Sequence, residues 1–313
     1  MPELTLVTGG AGFIGSHLVA ALAADGQRVR VLDDFSTGRR DNFAGIEPAP
    51  EVVSGDVADA AAVDRAMAGV STVFHLAAVA SVQRSVEEPL VTHRACDTGT
   101  LNVLDGARRH GARRVVYAGS ASAYGVPDRD VQAETDPVRP LSPYAAAKLA
   151  GELYAQAFAA CYGLETVVLR FFNIFGPRQR ADSPYSGVIA LFTQKMLAGQ
   201  VPTIYGDGLQ SRDFTYVADV VQALRKAAAA PGASGQVYNV GTGRSVTVLD
   251  LVAALNRLLG TNLTPRHGPP RAGDVRHSRA DISRARQGLG YEPAFSFEDG
   301  LARTLAWYRE ETC

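Results

Sequence analysis

Tyr144 and Lys148 stand four residues apart in a segment, Pro143–Tyr162, whose composition predicts a helix. Residues at this spacing share one helix face, so a phenol and an ammonium would be neighbours. A cation beside a tyrosine favours the phenolate, and we expect Lys148 to lower the pKa of Tyr144 from about 10 toward neutrality. A phenolate with such a pKa is a usable general base.

Ser120 follows the run Val115–Tyr117, which is rich in β-branched and aromatic residues and predicts a strand. The C-terminal ends of strands are where open α/β sheets bind ligands. A hydroxyl at that place can hold a substrate hydroxyl and share its proton path. The Tyr-x-x-x-Lys spacing is common by chance, so it is the combination of Ser120, Tyr144 and Lys148 that predicts a catalytic site.

A glycine-rich turn, Gly9, Gly12 and Gly15, follows the first strand-like run, Leu4–Val7. Gly9 permits a tight turn, Gly12 lets the backbone approach a pyrophosphate, and Gly15 lets a helix pack close to the sheet. The helix that follows would present free N–H groups and a partial positive charge to phosphates. The turn therefore predicts a dinucleotide site.

Asp33 ends the second strand-like run, 18 residues after Gly15. An acid is expected roughly 20 residues beyond the glycine turn, where it holds the adenosine ribose. A carboxylate there repels a 2′-phosphate, which favours NAD over NADP. Arg39 and Arg40 follow closely and argue in the opposite direction.

The third and fourth strand-like runs end in further candidate cofactor residues. Asp56 follows Val52–Val53, and its carboxylate could meet the adenine amino group. Ala77 and Ala78 follow Thr72–Leu76, and their small side chains would let a cofactor pass close to the sheet. His75, within that apolar run, is more typical of a hydrogen-bonded core histidine than of a general base.

The first part of the chain alternates strand-like runs with helical patterns. This alternation predicts an α/β fold with a Rossmann-type, doubly wound parallel sheet. After about residue 175 Gly, Pro and Arg become frequent, which predicts a smaller C-terminal mixed α/β domain. We expect one domain from 1–174 plus 214–243 and a second from 175–213 plus 244–313. The runs are Leu4–Val7, Val29–Leu32, Val52–Val53, Thr72–Leu76, Val115–Tyr117 and Thr166–Leu169, and the helices are Ile14–Ala24, Ala60–Met67, Thr98–Arg109, Pro143–Tyr162 and Val248–Leu259.

The composition excludes several classes of function. The chain has 313 residues, 46% of them hydrophobic, and a formal net charge of -1, so it has no broad basic field for nucleic acid. There is no apolar run of 18 residues, so we expect no membrane span, and the N-terminus does not read as a signal peptide. Cys96, Cys161 and Cys313 lie far apart, which fits a reducing cytoplasm and predicts neither disulfides nor a metal site.

Together these motifs resemble the extended short-chain dehydrogenase/reductases and, within them, the UDP-sugar 4-epimerases. The resemblance covers nearly the whole chain. It is carried by GGAGFIG (9–15), DDFSTG (33–38), HLAA (75–78), GSASAYG (119–125), YAAAK (144–148), RFFNIFGPRQ (170–179), SRDFTYVADV (211–220) and RAGDVRHS (271–278). On this basis the first domain would bind NAD and the second a UDP-sugar.

The resemblance implies a mechanism. Tyr144 would take the proton of the sugar C4 hydroxyl while hydride passes from C4 to the nicotinamide. The 4-keto sugar would turn in the pocket and receive hydride on its other face, so that NAD is regenerated. Lys148 would tune Tyr144 and hold the nicotinamide ribose, and Ser120 and Ser122 would contact the reacting hydroxyl.

The resemblance also assigns binding residues. Asn173, Arg212 and Arg271 would bind the UDP diphosphate, Asp274 a ribose hydroxyl, and Thr203 and Tyr205 the uracil. The implied cofactor set is Gly9, Gly12, Phe13, Ile14, Gly15, Asp33, Asp34, Ser36, Gly38, Asp56, Val57, Leu76, Ala77, Ala78, Tyr144, Lys148 and Phe171. The implied substrate set is Ser81, Ser120, Ser122, Tyr144, Asn173, Arg180, Val188, Thr203, Tyr205, Arg212, Arg271, Asp274 and Ser278.

Departures from relatives help to separate the reactions. Related 4,6-dehydratases have an Asp-Glu pair at the positions of Ala121 and Ser122, and related decarboxylases have a glutamate at Ser122, so neither reaction is expected. Relatives usually have Asn at the position of Cys96 and Ser at that of Gly119, and we expect altered local packing there.

The identity of the sugar stays open at this point. Arg178 and Arg180 lie in a segment that resembles UDP-glucuronate 4-epimerases, where a basic residue would pair with a carboxylate. Ser278 stands at a gate position where a small residue admits an N-acetyl group, and the segment 183–188 is similar to the hexose branch. We favour UDP-glucuronate, with UDP-glucose or an N-acetylhexosamine as the alternative.

Two other readings of the function remain. One is a nucleotide-sugar 4-reductase or dehydrogenase that releases reduced cofactor, and the other is an NAD-sensing protein without activity. The resemblance also implies a homodimer through helices 98–109 and 143–162. These helices carry apolar residues beyond one stripe, namely Leu149, Leu153, Tyr154 and Phe158.

Overall fold

The computed structural model describes residues 3–181, 186–270 and 275–312. Short strands are distributed along most of this length. In chain order they are β1 (Leu4–Thr8), β2 (Arg28–Asp33), β3 (Glu51–Ser54), β4 (Val70–His75), β5 (Arg114–Ser120), β6 (Val131–Gln132), β7 (Glu165–Phe171), β8 (Asn173–Phe175), β9 (Thr203–Tyr205), β10 (Ser211–Arg212), β11 (Phe214–Tyr216), β12 (Gln236–Val240), β13 (Val246–Thr247), β14 (Arg266–Gly268) and β15 (His277–Ala280).

Seven of these strands form one parallel sheet in the order β12-β7-β5-β4-β1-β2-β3. Every neighbouring pair in it is parallel. The chain starts at β1, extends through β2 and β3 to one edge, and then crosses to β4 on the other side. The strand order therefore reverses between β1 and β4, and this crevice is where sheets of this kind bind ligands.

Helices cover both faces of the sheet. Side chains of α1 and α8 pack with the sheet into one buried apolar cluster, and side chains of α2 and α5 pack into another. The predicted doubly wound α/β fold is thereby confirmed. The helices are α1 (Phe13–Ala24), α2 (Ala60–Met67), α3 (Val82–Glu87), α4 (Pro89–His93), α5 (Gly99–Arg109), α6 (Pro143–Tyr162), α7 (Val188–Leu197), α8 (Val217–Ala229), α9 (Val248–Leu259), α10 (Ser283–Leu289) and α11 (Phe297–Thr312).

The remaining strands form small sheets beside the C-terminal ends of the large one. They pair as β13-β10-β15-β6, β11-β8 and β14-β9. A third apolar cluster, built largely from α7, α9 and the strands around Phe175 and Phe214, lies under them. A smaller mixed α/β unit is consistent with this arrangement, whereas the exact domain bounds stay a prediction.

The junction between α4 and α5 was not predicted. A π-helical turn, Arg94–Thr98, joins α4 to α5, so α5 begins one residue later than expected. Gly99 stands where the turn ends, and a Cβ there would lie 2.6 Å from a methyl carbon of Val57. Within the described ranges, no helix is both long and apolar enough to cross a membrane.

Candidate active site

A cavity of about 1840 Å³ opens at the C-terminal ends of the central strands. It is larger than the roughly 300–1,000 Å³ of an ordinary small-molecule site, so it has room for two ligands side by side. Most predicted binding residues line it, which brings the two predicted sets together. These are Gly9, Gly12, Phe13, Ile14, Gly15, Asp33, Asp34, Ser36, Asp56, Val57, Leu76, Ala77, Ala78, Ser81, Ser120, Ser122, Tyr144, Lys148, Phe171, Asn173, Val188, Thr203, Tyr205, Arg212 and Ser278.

The glycine turn has the shape that a dinucleotide needs. Gly9 has a φ of 69°, and a Cβ on it would lie 2.8 Å from the backbone of Ala77. A Cβ on Gly15 would lie 2.1 Å from the carbonyl oxygen of Gly9, so helix α1 can approach the turn only with glycine there. Gly12 precedes α1, and no side chain caps the helix. The first N–H groups of α1 are thus available to a diphosphate.

Asp33 lies at the end of β2 with both carboxylate oxygens already hydrogen-bonded. It accepts from the backbone N–H groups of Ala11 and Phe35, each at 2.8 Å. Burial nevertheless raises the pKa of its carboxyl. Gly38 does not line the cavity but lies directly behind Asp33, where a Cβ would be 2.8 Å from a carboxylate oxygen.

Arg39 and Arg40, which argued for NADP, contact residues outside the cavity lining. The guanidinium of Arg40 lies 4.2 Å from the ring centroid of Phe35, and Arg39 approaches the carboxylate of Glu311 at 3.8 Å. Neither is among the residues that line the cavity in the part of the chain that the structure describes. Asp33 therefore remains the charge next to the predicted ribose position.

Ser120, Ser122 and Tyr144 lie together in the wall of the cavity. The hydroxyl oxygen of Ser120 accepts from the Ser122 hydroxyl at 2.8 Å and from the Ser122 N–H at 3.2 Å. The Ser120 hydroxyl is then free to donate to the Tyr144 oxygen, and this hydrogen bond favours the phenolate. Helix α6 positions Tyr144 through its first turn, where Ser142 accepts from the N–H of Ala145.

The expectation that Lys148 lowers the pKa of Tyr144 is wrong for the chain without its cofactor. Burial raises the pKa of Tyr144 to about 12, because removal from water disfavours the anion. Burial also lowers the pKa of Lys148. The Lys148 Nζ lies 4.8 Å from the ring centroid of Tyr117, an aromatic residue to which the sequence assigned no role.

His75 is a core histidine, as predicted. Its ring is fully hydrogen-bonded, with Nδ1 2.7 Å from the Thr8 hydroxyl and Nε2 3.0 Å from the Thr100 hydroxyl. Thr100 donates its own proton to the carbonyl of Cys96 at 2.5 Å, so it must accept from Nε2–H. This assigns one neutral tautomer, and burial lowers the pKa of His75 to about 3. His75 therefore adds no positive charge at neutral pH.

The two departures from relatives lie close to this site. Cys96 is buried inside the π-helical turn, and burial raises the pKa of its thiol. A Cβ on Gly119 would lie 3.1 Å from a Val168 methyl and 3.2 Å from the Leu169 carbonyl oxygen. A serine there would need a small shift of β7, so the glycine matches a tighter packing of β5 on β7.

The substrate side contains a residue that sequence reasoning missed. Asp213 is fully buried between β10 and β11 and accepts from Thr242 N (2.8 Å), Thr242 Oγ1 (2.7 Å), Gly243 N (2.9 Å) and Ala280 N (3.1 Å). Its own carbonyl accepts from the N–H of Asn173. Asp213 thus ties together the strands that carry Asn173, Arg212 and Ser278. The signal available in the sequence was a single acidic residue, Asp213, next to the apolar strand segment Phe214–Tyr216.

Neither arginine of the predicted basic contact is among the described residues that line the cavity. Arg180 does not line the cavity, and its guanidinium donates to the carbonyl of Thr37 at 3.4 Å, toward the cofactor end. Arg178 has a φ of 65°, is half-buried and is also absent from the lining. The assignment of Arg180 to the substrate stays a prediction. Arg271 and Asp274 lie outside the described residues.

One cavity combines the glycine turn, Asp33 at the end of β2, and the set Ser120, Tyr144 and Lys148. This combination defines a Rossmann-fold enzyme that carries out redox chemistry with a dinucleotide. Comparison with known proteins agrees. Residues 5–241 match the model of the NAD dependent epimerase/dehydratase family, and the chain belongs to that family. The predictions of NAD as cofactor and of an extended short-chain dehydrogenase/reductase are thereby confirmed.

Individual relatives show which members of this family the chain is similar to. The chain is 41% identical over 312 residues to the UDP-glucose 4-epimerase of Mycolicibacterium smegmatis, covering 98% of this chain and 99% of the relative. Its structure is similar to the UDP-glucose 4-epimerase of Thermotoga maritima with UDP-glucose, with a TM-score of 0.94, 38% identity, and 99% and 100% of the two chains covered. It is equally similar, with a TM-score of 0.94, to the UDP-N-acetylglucosamine 4-epimerase of Methanobrevibacter ruminantium M1 in complex with UDP-N-acetylmuramic acid (36% identity, 99% and 100% covered).

Proposed function

We propose that the protein is an NAD-dependent epimerase that inverts C4 of a UDP-sugar. The observation that carries this proposal is that Ser120, Tyr144 and Lys148 line the same cavity as the glycine cradle. The wall after Ser120 continues with Ala121 and Ser122, so it offers no acid to expel a hydroxyl. This argues for epimerisation over dehydration within the family.

The residues of the chain divide the work. Tyr144, as the phenolate, takes the proton of the C4 hydroxyl, and the Ser120 hydroxyl donates to the Tyr144 oxygen and orients it. NAD, when bound, supplies the ring that accepts hydride from C4 and returns it. After the 4-keto sugar has turned, Tyr144 gives its proton back to the new C4 alkoxide.

We infer that the sugar is a neutral hexose or N-acetylhexosamine and not a uronate. The glucuronate preference depended on Arg178 and Arg180, and in the described part of the chain neither lines the cavity. Among the described residues, the cationic side chains that line it are Lys148, Lys195 and Arg212. Lys148 is needed at the cofactor and Arg212 suits a diphosphate. Ser278, which is small, leaves room for an N-acetyl group.

Product analysis tests this proposal. The purified protein with NAD is incubated separately with UDP-glucose, UDP-N-acetylglucosamine and UDP-glucuronate, and the products are resolved by chromatography. We expect UDP-galactose or UDP-N-acetylgalactosamine, without net release of NADH. UDP-galacturonate as the sole product would overturn the neutral-sugar assignment, and stoichiometric NADH release would indicate a dehydrogenase instead.

We further propose a homodimer in which α5 and α6 of the two chains pack together. Exposed apolar side chains on these helices and on α4 support this proposal. Leu90 of α4 is 80% exposed and Leu153 of α6 is 56% exposed, and Leu101 of α5 and Tyr154 of α6 are also exposed. Phe158, by contrast, is buried in the core. Exposed apolar surface of this kind suits a two-fold interface between identical chains.

Leu153→Arg is expected to convert the dimer into a monomer, because two cations would meet near the two-fold axis. Light scattering at micromolar concentration measures the mass. Leu209→Arg is the matched control, since Leu209 is 49% exposed but lies outside these helices. A monomeric unmodified protein at that concentration, or equal masses for both variants, would contradict the proposed interface.

A further inference from the structure

Lys148 is almost completely buried, yet the chemistry proposed above needs its ammonium group. Its side chain is 4% exposed, and burial in a poorly polarisable setting disfavours a charge. Its Nζ lies 4.8 Å from the centroid of the Tyr117 ring, within the distance at which a cation is attracted to an aromatic face. The ring belongs to β5, directly beneath helix α6.

The Tyr117 ring is held rigidly in this place. Its side chain is 1% exposed, and its hydroxyl donates to the Lys148 carbonyl at 3.3 Å. Helix α6 can pack against this ring because residue 151 is a glycine. A Cβ on Gly151 would lie 2.2 Å from the Tyr117 oxygen. On the other side, the His75 ring centroid lies 5.7 Å away. A ring fixed between a strand and a helix loses no freedom when it binds a cation.

The other groups around Lys148 supply little negative charge. His75 is neutral because its pKa is lowered to about 3, and burial raises the pKa values of the Cys96 thiol, the Tyr117 phenol and the Tyr144 phenol. Asp97, in the same π-helical turn as Cys96, is engaged with His93 at 3.4 Å. The face of the Tyr117 ring is an electron-rich surface that the structure places next to the ammonium.

We infer that Tyr117 is a positioning residue for catalysis, whose ring face holds the Lys148 ammonium in its charged form and in its place in the cavity. This inference rests on the proposed function only for the role in catalysis that it assigns to the charge of Lys148. The interaction between the Tyr117 ring and the Lys148 ammonium involves no ligand, so it can be measured without a substrate.

The chain offers a direct test because it contains only three lysines, Lys148, Lys195 and Lys226. Uniform labelling with ¹³Cε-lysine gives three NMR signals, which Lys195→Arg and Lys226→Arg assign. Tyr117→Phe keeps the ring and serves as the reference. Mono-, di- and trifluorophenylalanine are then incorporated at position 117, which weakens the ring quadrupole stepwise with little change in size.

Across this series we expect the pKa of Lys148 to fall by about one unit, in the order of fluorination, while Lys195 and Lys226 titrate unchanged. The pH profile of kcat should shift in the same order. A Lys148 titration that does not respond to fluorination would overturn the inference, even if the protein epimerises UDP-sugars. If no UDP-sugar is epimerised but the Lys148 titration still follows the series, the proposed function fails and the role of the ring stands.

Tyr117→Leu separates the ring face from simple packing. It removes the ring and creates a cavity, so a loss of activity alone would have two causes. The inference requires that Tyr117→Leu lowers the pKa of Lys148 at least as far as the trifluoro variant. An unchanged Lys148 pKa in a folded Tyr117→Leu protein would show that the ring only fills space.

Discussion

Tyr144→Phe is expected to lower kcat by about 10²–10⁴-fold while leaving the binding of NAD and UDP-sugar nearly unchanged. The substitution removes only the oxygen that takes the C4 proton. Phenylalanine keeps the ring, which lines the cavity from the first turn of α6. Initial rates with saturating UDP-sugar measure the loss, and calorimetric titration with UDP measures binding.

Tyr154→Phe is the matched control for this experiment. Tyr154 lies in the same helix but on the exposed side, so loss of its hydroxyl should change kcat by less than about twofold. Turnover within tenfold of the unmodified protein in Tyr144→Phe would exclude Tyr144 as the base. Ser120 would then be the next candidate, because it is the hydroxyl in contact with Tyr144.

The pH dependence follows from the burial of Tyr144. Its pKa lies at about 12 in the chain without NAD, so at neutral pH the phenol is almost entirely protonated. Loading with NAD, whose nicotinamide ring is cationic, should lower this pKa. Phenolate absorbance, as the difference between the unmodified protein and Tyr144→Phe, measures both states. A pKa that is the same with and without NAD would contradict this account.

The sequence allowed the fold and the cofactor side to be predicted because both are local. The glycine spacing at 9, 12 and 15 and the apolar runs encode a strand–turn–helix unit within 20 residues. Parallel strands then bring their C-terminal ends to one edge without further information. Residues at these ends, such as Asp33, Ala77 and Ser120, therefore line the same cavity.

The parts that could not be predicted depend on contacts between distant segments. Asp213 finds its partners 29 and 67 residues further along the chain, in Thr242 and Ala280. The course of the chain before Arg180 could not be predicted either, because Arg178 has a positive φ, which is unusual for a residue with a side chain. The pKa of Tyr144 was misjudged because spacing shows a neighbouring charge but not the burial that opposes it.

The second large effect is expected from Glu152, one helical turn beyond Lys148. Its carboxylate accepts from Arg170 Nε at 2.9 Å and from Nη2 at 2.6 Å, and the two side chains are 4% and 5% exposed. Arg170 also lies 4.8 Å from the ring centroid of Tyr124, and its Nη1 has no hydrogen-bond partner. The carboxylate is therefore the only full negative charge that the described structure places in contact with this guanidinium.

Glu152→Gln should lower the free energy of unfolding by about 3–5 kcal/mol, since it leaves a buried guanidinium without its counter-charge. Urea denaturation followed by circular dichroism measures the change. Glu292→Gln is the matched control, because Glu292 and Arg286 form the same two-bond pair at 2.8 and 2.7 Å but are 66% and 49% exposed. We expect that control to change the stability much less, because solvent screens an exposed ion pair.

The comparison decides whether burial, and not pair geometry, determines the contribution of Glu152. Equal losses in the two variants would mean that Arg170 finds compensation elsewhere, for example from the Tyr124 ring. A double variant, Glu152→Leu with Arg170→Leu, should recover part of the lost stability, because both charges are then removed from the interior. Its activity would report how far the pair positions Tyr124, whose hydroxyl donates to Asn239 at 2.7 Å and whose ring lines the cavity wall.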